Sequence, residues 1–136
     1  MMQRFESALA LWAALLGLCG VATAAAAAHV TSATSLNAAA LILLSHAPAI
    51  IAILAVARSD FIAPRLALLS SVLLAIGATL FSSDIALRVL LSAPLFPMAA
   101  PAGGFILIFG WGFLAIGALT HVVQRKSPRD NDKTLG

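Results

Sequence analysis

Apolar residues fill four long stretches of this chain on every face, and charged or helix-breaking residues mark the intervals between them. In hydrocarbon each backbone N–H and C=O needs a partner inside the protein, so only helices and closed barrels cross a bilayer. Barrel strands alternate polar and apolar positions over about 10 residues. These stretches do not alternate, and they are rich in Ala, Leu and Ile. The pattern predicts an all-α fold, a four-transmembrane-helix bundle with short loops.

The first span is predicted from Ser7 to about Ala28. Its small-residue end, Ala22 to Ala28, resembles a signal-peptidase region. However, the apolar run from Ala8 to Ala28 exceeds the roughly 7–15 residues of a secretory h-region. It also meets the roughly 20 residues that a crossing requires, so a retained helix is expected. Gly17, Gly20 and Ala24 would permit close helix contact. Residues from His29 to Leu36 read as a polar turn, with Ser35 or Asn37 as cap of a second span ending near Ala57. Arg58 to Arg65 form a charged loop. The third span begins near Leu66, is secure to Phe81 and can continue through Asp84 to Leu91, ending before Pro94. Pro94, Pro97 and Pro101 predict an irregular connection over Ser92 to Ala102. Gly103 and Gly104 open the fourth span, which ends near Val123. The domain reading is one membrane unit over 1–123 and a basic, flexible tail over 124–136.

Composition agrees with that reading. The chain of 136 residues is 62% hydrophobic and 10% charged, whereas soluble domains carry about 25% charge. Its net charge of +3 changes meaning once the basic residues are placed. Four of the eight, Arg125, Lys126, Arg129 and Lys133, sit in the tail, and the others lie near helix ends. No basic groove with interleaved aromatics exists in the sequence, so nucleic acid is not an expected partner. Arg4, Arg58, Arg65 and the tail fall on one side of the predicted topology and Arg88 alone on the other. The positive-inside rule then predicts both termini in the cytoplasm. Cys19, the single cysteine, reads as a small buried hydrophobe between Leu18 and Gly20.

Few polar residues remain to carry chemistry. His46 lies in the second span beside Ser45 and Pro48, about nine residues, or roughly 14 Å, from its start. An ionisable group at that depth is expected to face the bundle interior or a cavity. Pro48 removes the usual donor to the Leu44 carbonyl, which Ser45, His46 or another helix could satisfy. Ser45 itself is read as facing away from its neighbour. Asp84 and Arg88, four apart on one helical face, are placed for an ion pair, with Ser82 and Ser83 able to complete the cluster. His29 at the outer end of the first span could reach Asp84. His29, His46 and His121 fall at different depths, which argues against a shared metal site. No phosphate loop, nucleophile elbow, metalloprotease helix or paired-cysteine motif occurs in the sequence. No cofactor and no catalytic residue is therefore assigned.

Several segments taken in order resemble the domain of unknown function 423 family of small four-helix membrane proteins. They are the Gly20 to His29 stretch ending in Ala-His, Ser45-His46-Ala47, Gly77-Ala78-Thr79-Leu80-Phe81-Ser82, and Pro101-Ala102-Gly103-Gly104 leading to Gly110-Trp111. The chain departs from the family pattern after Phe81-Ser82, where it carries Asp84 and Arg88. The resemblance implies an integral protein of the bacterial inner membrane and supplies no catalytic residue or cofactor. The sequence thus supports a non-enzymatic membrane component that binds lipids or a membrane-protein partner, with His46 structural and Arg88 and the tail at headgroups. The competing reading is a small proton-sensitive transporter or channel-like protein. It would act as a homo-oligomer, with His46 as its titrating group and Asp84–Arg88 as outer gate.

Overall fold

The computed structural model describes residues 2–29, 33–59 and 61–126. Four helices follow in order: α1 (Met2–Ala27), α2 (Ala33–Val56), α3 (Pro64–Leu91) and α4 (Ala99–Lys126). All four contain apolar windows long enough to cross a membrane, the shortest covering 22 residues. At 1.5 Å per residue, that is roughly 33 Å, enough for a hydrocarbon core about 30 Å thick.

The ends of the helices differ from the sequence expectation in instructive ways. α2 begins at Ala33, so Ser35 and Asn37 lie inside its first turns and neither caps it. The early turns are worth forming because Leu36, Ala39 and Ala40 are buried against the rest of the bundle. α3 starts with Pro64, whose missing N–H is no loss in a first turn. It runs unbroken through Asp84 and stops at Ser92, which adopts a left-handed conformation with φ 54°. α4 begins at Ala99, four residues before the predicted start, because Pro101 falls in its first turn and is tolerated there. The irregular connection therefore shrinks to residues 92–98. At the other end α4 includes Gln124, Arg125 and Lys126, while Arg129 and Lys133 lie outside the described residues.

α3 is the organising element. It packs against all three other helices, whereas, among the described residues, α1 packs mainly on α2 and α4 mainly on α3. The α3–α4 seam is tight because glycines remove side chains from it. Gly103, Gly110 and Gly117 recur every seventh residue on α4, a spacing that keeps one stripe facing one neighbour. A Cβ on Gly103 would lie 2.6 Å from the Phe81 backbone nitrogen, and one on Gly110 would lie 2.8 Å from Leu74. Ser70 uses this approach to donate to the Gly110 carbonyl at 2.8 Å. Gly104 faces open space. Of the two glycines that open the predicted span, only Gly103 serves close packing.

On α1, Gly20 meets Leu43 and Leu44, and Gly17 meets Ala47. Because those glycines face α2, Cys19 lies exposed on the other side, contrary to the expectation of a buried residue. The interior mixes small side chains such as Ala13, Ala67, Ala75 and Ala78 with larger ones, of which Leu36, Ile50 and Leu74 are fully buried. Outward-facing positions are apolar too: Leu18, Leu41 and Ile108 are 68%, 67% and 66% exposed. In water such a surface would be a large liability. In lipid it is the solvated face.

Candidate functional site

Polar side chains within the spans either fold back on their own helix, as Ser71 does on the Ala67 carbonyl, or bond across to another helix, as Ser70 and Ser82 do. The most elaborate set centres on His46, which is buried on α2 with 7% exposure. Its Nδ1 lies 2.8 Å from the Ile42 carbonyl, and its Nε2 lies 3.2 Å from the indole Nε1 of Trp111 on α4. A carbonyl only accepts and an indole N–H only donates. Together they assign the neutral tautomer, with the proton on Nδ1 and the lone pair on Nε2. The two rings meet edge to face, with centroids 6.0 Å apart.

Ser45 corrects two expectations. Its hydroxyl sits 3.1 Å from His46 Nδ1 and donates to the Ile42 carbonyl at 3.2 Å. Ser45 therefore does engage its neighbour, and both side chains turn to the carbonyl of Ile42, not to that of Leu44 beside Pro48. The reason is reach: short side chains on a helix fold back over the preceding turn.

Asp84 forms the second cluster. Its carboxylate is buried, and Oδ2 accepts from Arg88 Nε at 2.7 Å. Oδ1 accepts from the backbone N–H of Leu95 at 2.8 Å, and the Ala100 N–H in the first turn of α4 is directed at the same group. The predicted ion pair is thus present, but the carboxylate also pins the 92–98 connection through the Leu95 N–H and faces the first turn of α4. Anions suit a helix start, where N–H groups lack internal partners. Arg88 is half exposed.

Ser82 and Ser83 do not join this cluster. Ser82 donates across to the Ala39 carbonyl of α2 at 3.1 Å. Ser83 lines a small cleft with Trp12, Thr79 and Leu95. Nor does His29 reach Asp84: it is exposed just beyond the end of α1, while Arg88 and the connection occupy the carboxylate. His121 belongs to α4, but its side chain lies outside the described residues. Among the described residues, no group of three His, Cys, Asp or Glu side chains comes together to hold a metal.

Sequence reasoning missed three features. Trp12 of α1 donates to Thr79 of α3 at 3.1 Å, with Thr79 in turn bonded to the Ala75 carbonyl at 2.7 Å. Trp111, named above only within the family resemblance, is the partner of His46. At the opposite end from Asp84, Arg58 meets Glu6 at 2.6 Å, beside a cleft of about 700 Å³ lined by Leu54, Ala57, Ala63, Pro64, Arg65 and Leu68 as well as that pair. The seven-residue spacing of glycines could have been found from sequence. The Glu6–Arg58 pair, separated by 52 positions, could not.

A family model described as "Protein of unknown function (DUF423)" matches residues 22–104. The chain belongs to the DUF423 family. With the four long apolar helices, this makes it a multi-span membrane protein of that family. No curated relative and no solved structure matches it. The DUF423 match takes in His46, Arg58, Arg65, Asp84, Arg88 and Gly103, whereas Glu6 and Trp111 fall on either side of it.

Proposed function

We propose that this DUF423 protein is a non-enzymatic component of the bacterial inner membrane that binds lipids or a membrane-protein partner. The observation that carries this reading is the state of His46. Both ring nitrogens are committed inside the protein, and none of the three clefts described is lined by it. A proton carrier needs a path to its titrating group. Here, protonating Nε2 would set a new N–H against the Trp111 N–H. Thr79, Ser70 and Ser82 are likewise spent on holding helices together.

In proteoliposomes, His46→Ala is expected to leave proton flux at the level of the unsubstituted protein. The same variant should lose less than about 2 kcal/mol of stability, the range for hydrogen bonds between membrane helices. A flux present in the native protein and abolished by His46→Ala would replace this reading with the transporter.

We also propose that both termini face the cytoplasm. The helix directions support this by placing Arg4, Arg58, Arg65 and Arg125 at one end of the bundle and Arg88 at the other. Reporters fused at either terminus should read cytoplasmic. A periplasmic reading at the C-terminus would reverse the topology.

A further inference from the structure

The cleft at the Glu6–Arg58 end has a graded lining. Arg58 follows the end of α2 and Arg65 opens α3, while Leu54 lies one helical turn deeper on α2 and Leu68 nearly one turn deeper on α3. Charge at the mouth and hydrocarbon below is the polarity profile of a phospholipid. The volume of about 700 Å³ falls within the range of roughly 300–1,000 Å³ typical of small-molecule sites.

Charge selects among lipids. Among the described residues, two guanidinium groups and one carboxylate line the cleft, a net of +1 from Arg58, Arg65 and Glu6. Arg58 places Nε and Nη2 on the same Glu6 oxygen, at 3.2 and 2.6 Å, and Nη1 has no protein partner among the described residues. Arg65 has no ion pair or hydrogen-bonded partner among the described residues. A planar guanidinium with spare donors matches phosphate oxygens in geometry as well as charge. Ala63 and Pro64 also bring the start of α3 into the lining, and no side chain caps that start. Pro64 has no N–H, and Leu66 and Ala67 donate to the Ala63 carbonyl at 3.0 Å, so the Arg65 N–H is the first-turn donor left for an anion.

We infer that this cleft holds one anionic phospholipid. Its phosphodiester contacts Arg65 and the spare edge of Arg58, and an acyl chain descends along Leu54 and Leu68. The inference rests on the lipid-binding reading above and assigns it a place and a class. A zwitterionic lipid fits less well, because Glu6 is already engaged by Arg58 and the surplus charge is positive. Arg88, at the far end of the bundle, has no part in the site.

Native mass spectrometry of the full chain, released from nanodiscs containing equal phosphatidylglycerol and phosphatidylethanolamine, tests this directly. One retained phosphatidylglycerol is expected in preference to phosphatidylethanolamine. Arg65→Gln should lower its retention about fivefold and Arg58→Gln with Arg65→Gln at least about tenfold, a loss of roughly 1.4 kcal/mol. Arg88→Gln should leave it unchanged. Glu6→Gln should raise retention, because it frees Arg58 and adds one unit of positive charge. The substituted arginines are exposed, so unfolding midpoints of Arg65→Gln and the native chain should coincide. Equal retention of both lipids overturns the assignment, as does retention insensitive to Arg58 and Arg65. If the anionic lipid is instead lost on Arg88→Gln, lipid binding stands and this cleft is wrong. If no lipid is retained by any form, the lipid reading fails along with its site.

Discussion

Replacing Gly103 by leucine is expected to cost about 3 kcal/mol or more, at the upper end of overpacking penalties. The first atom of the new side chain would already lie 2.6 Å from the Phe81 nitrogen and 3.0 Å from the Gly77 oxygen. Both obstacles are helical backbone, which cannot rotate aside as a flexible side chain can. α4 must therefore move away from α3, its main packed neighbour. That movement also weakens the Ser70 bond to Gly110 at the next turns of the seam. Reversible unfolding in mixed lipid–SDS micelles measures the loss. Gly104→Ala is the matched control, since nothing lies within 4 Å of its new methyl group, and it should fall within about 0.5 kcal/mol of the native protein. A Gly103→Leu variant as stable as that control would show that the seam is not close-packed.

Asp84→Ala is expected to be the next most damaging change. It leaves the Leu95 N–H without its acceptor and the Arg88 guanidinium without its partner at the mouth of the bundle. It also removes the charge that faces the start of α4. Asp84→Asn should be milder, because an amide oxygen can still accept from Leu95. Arg88→Ala should be milder than Asp84→Ala, since Arg88 is half exposed and two backbone N–H groups still face the carboxylate. The order of unfolding midpoints is the measurement. If Arg88→Ala proves as damaging as Asp84→Ala, the ion pair and not the backbone contact is what Asp84 supplies.

The fold was largely legible because the solvent is hydrocarbon. A span longer than about 20 apolar residues admits few backbone solutions, and prolines and charges mark where each must stop. Boundaries slipped where the local rule has an exception: Pro101 reads as a breaker but is harmless in a first turn. The continuation of α3 through Asp84 to Leu91 was open in the sequence, because Ser82, Ser83 and Asp84 interrupt the apolar run there. The partners of individual polar side chains were less legible. Asp84 bonds Leu95 across a reversal of the chain, and Ser82 reaches Ala39, 43 positions away. His46 was singled out by depth alone, and depth says that a partner must exist without saying that it is Trp111. Cys19 was misplaced because a uniformly apolar helix carries no polar face to reveal which side turns inward.

On the α3 side, Leu74 over Gly110, Leu107 over Gly77 and the Ser70 bond to the Gly110 carbonyl hold the last helix at short radius. The indole of Trp111 reaches past that contact to the imidazole on α2. It therefore acts as an azimuthal stop, fixing which flank of the last helix the surrounding lipid meets.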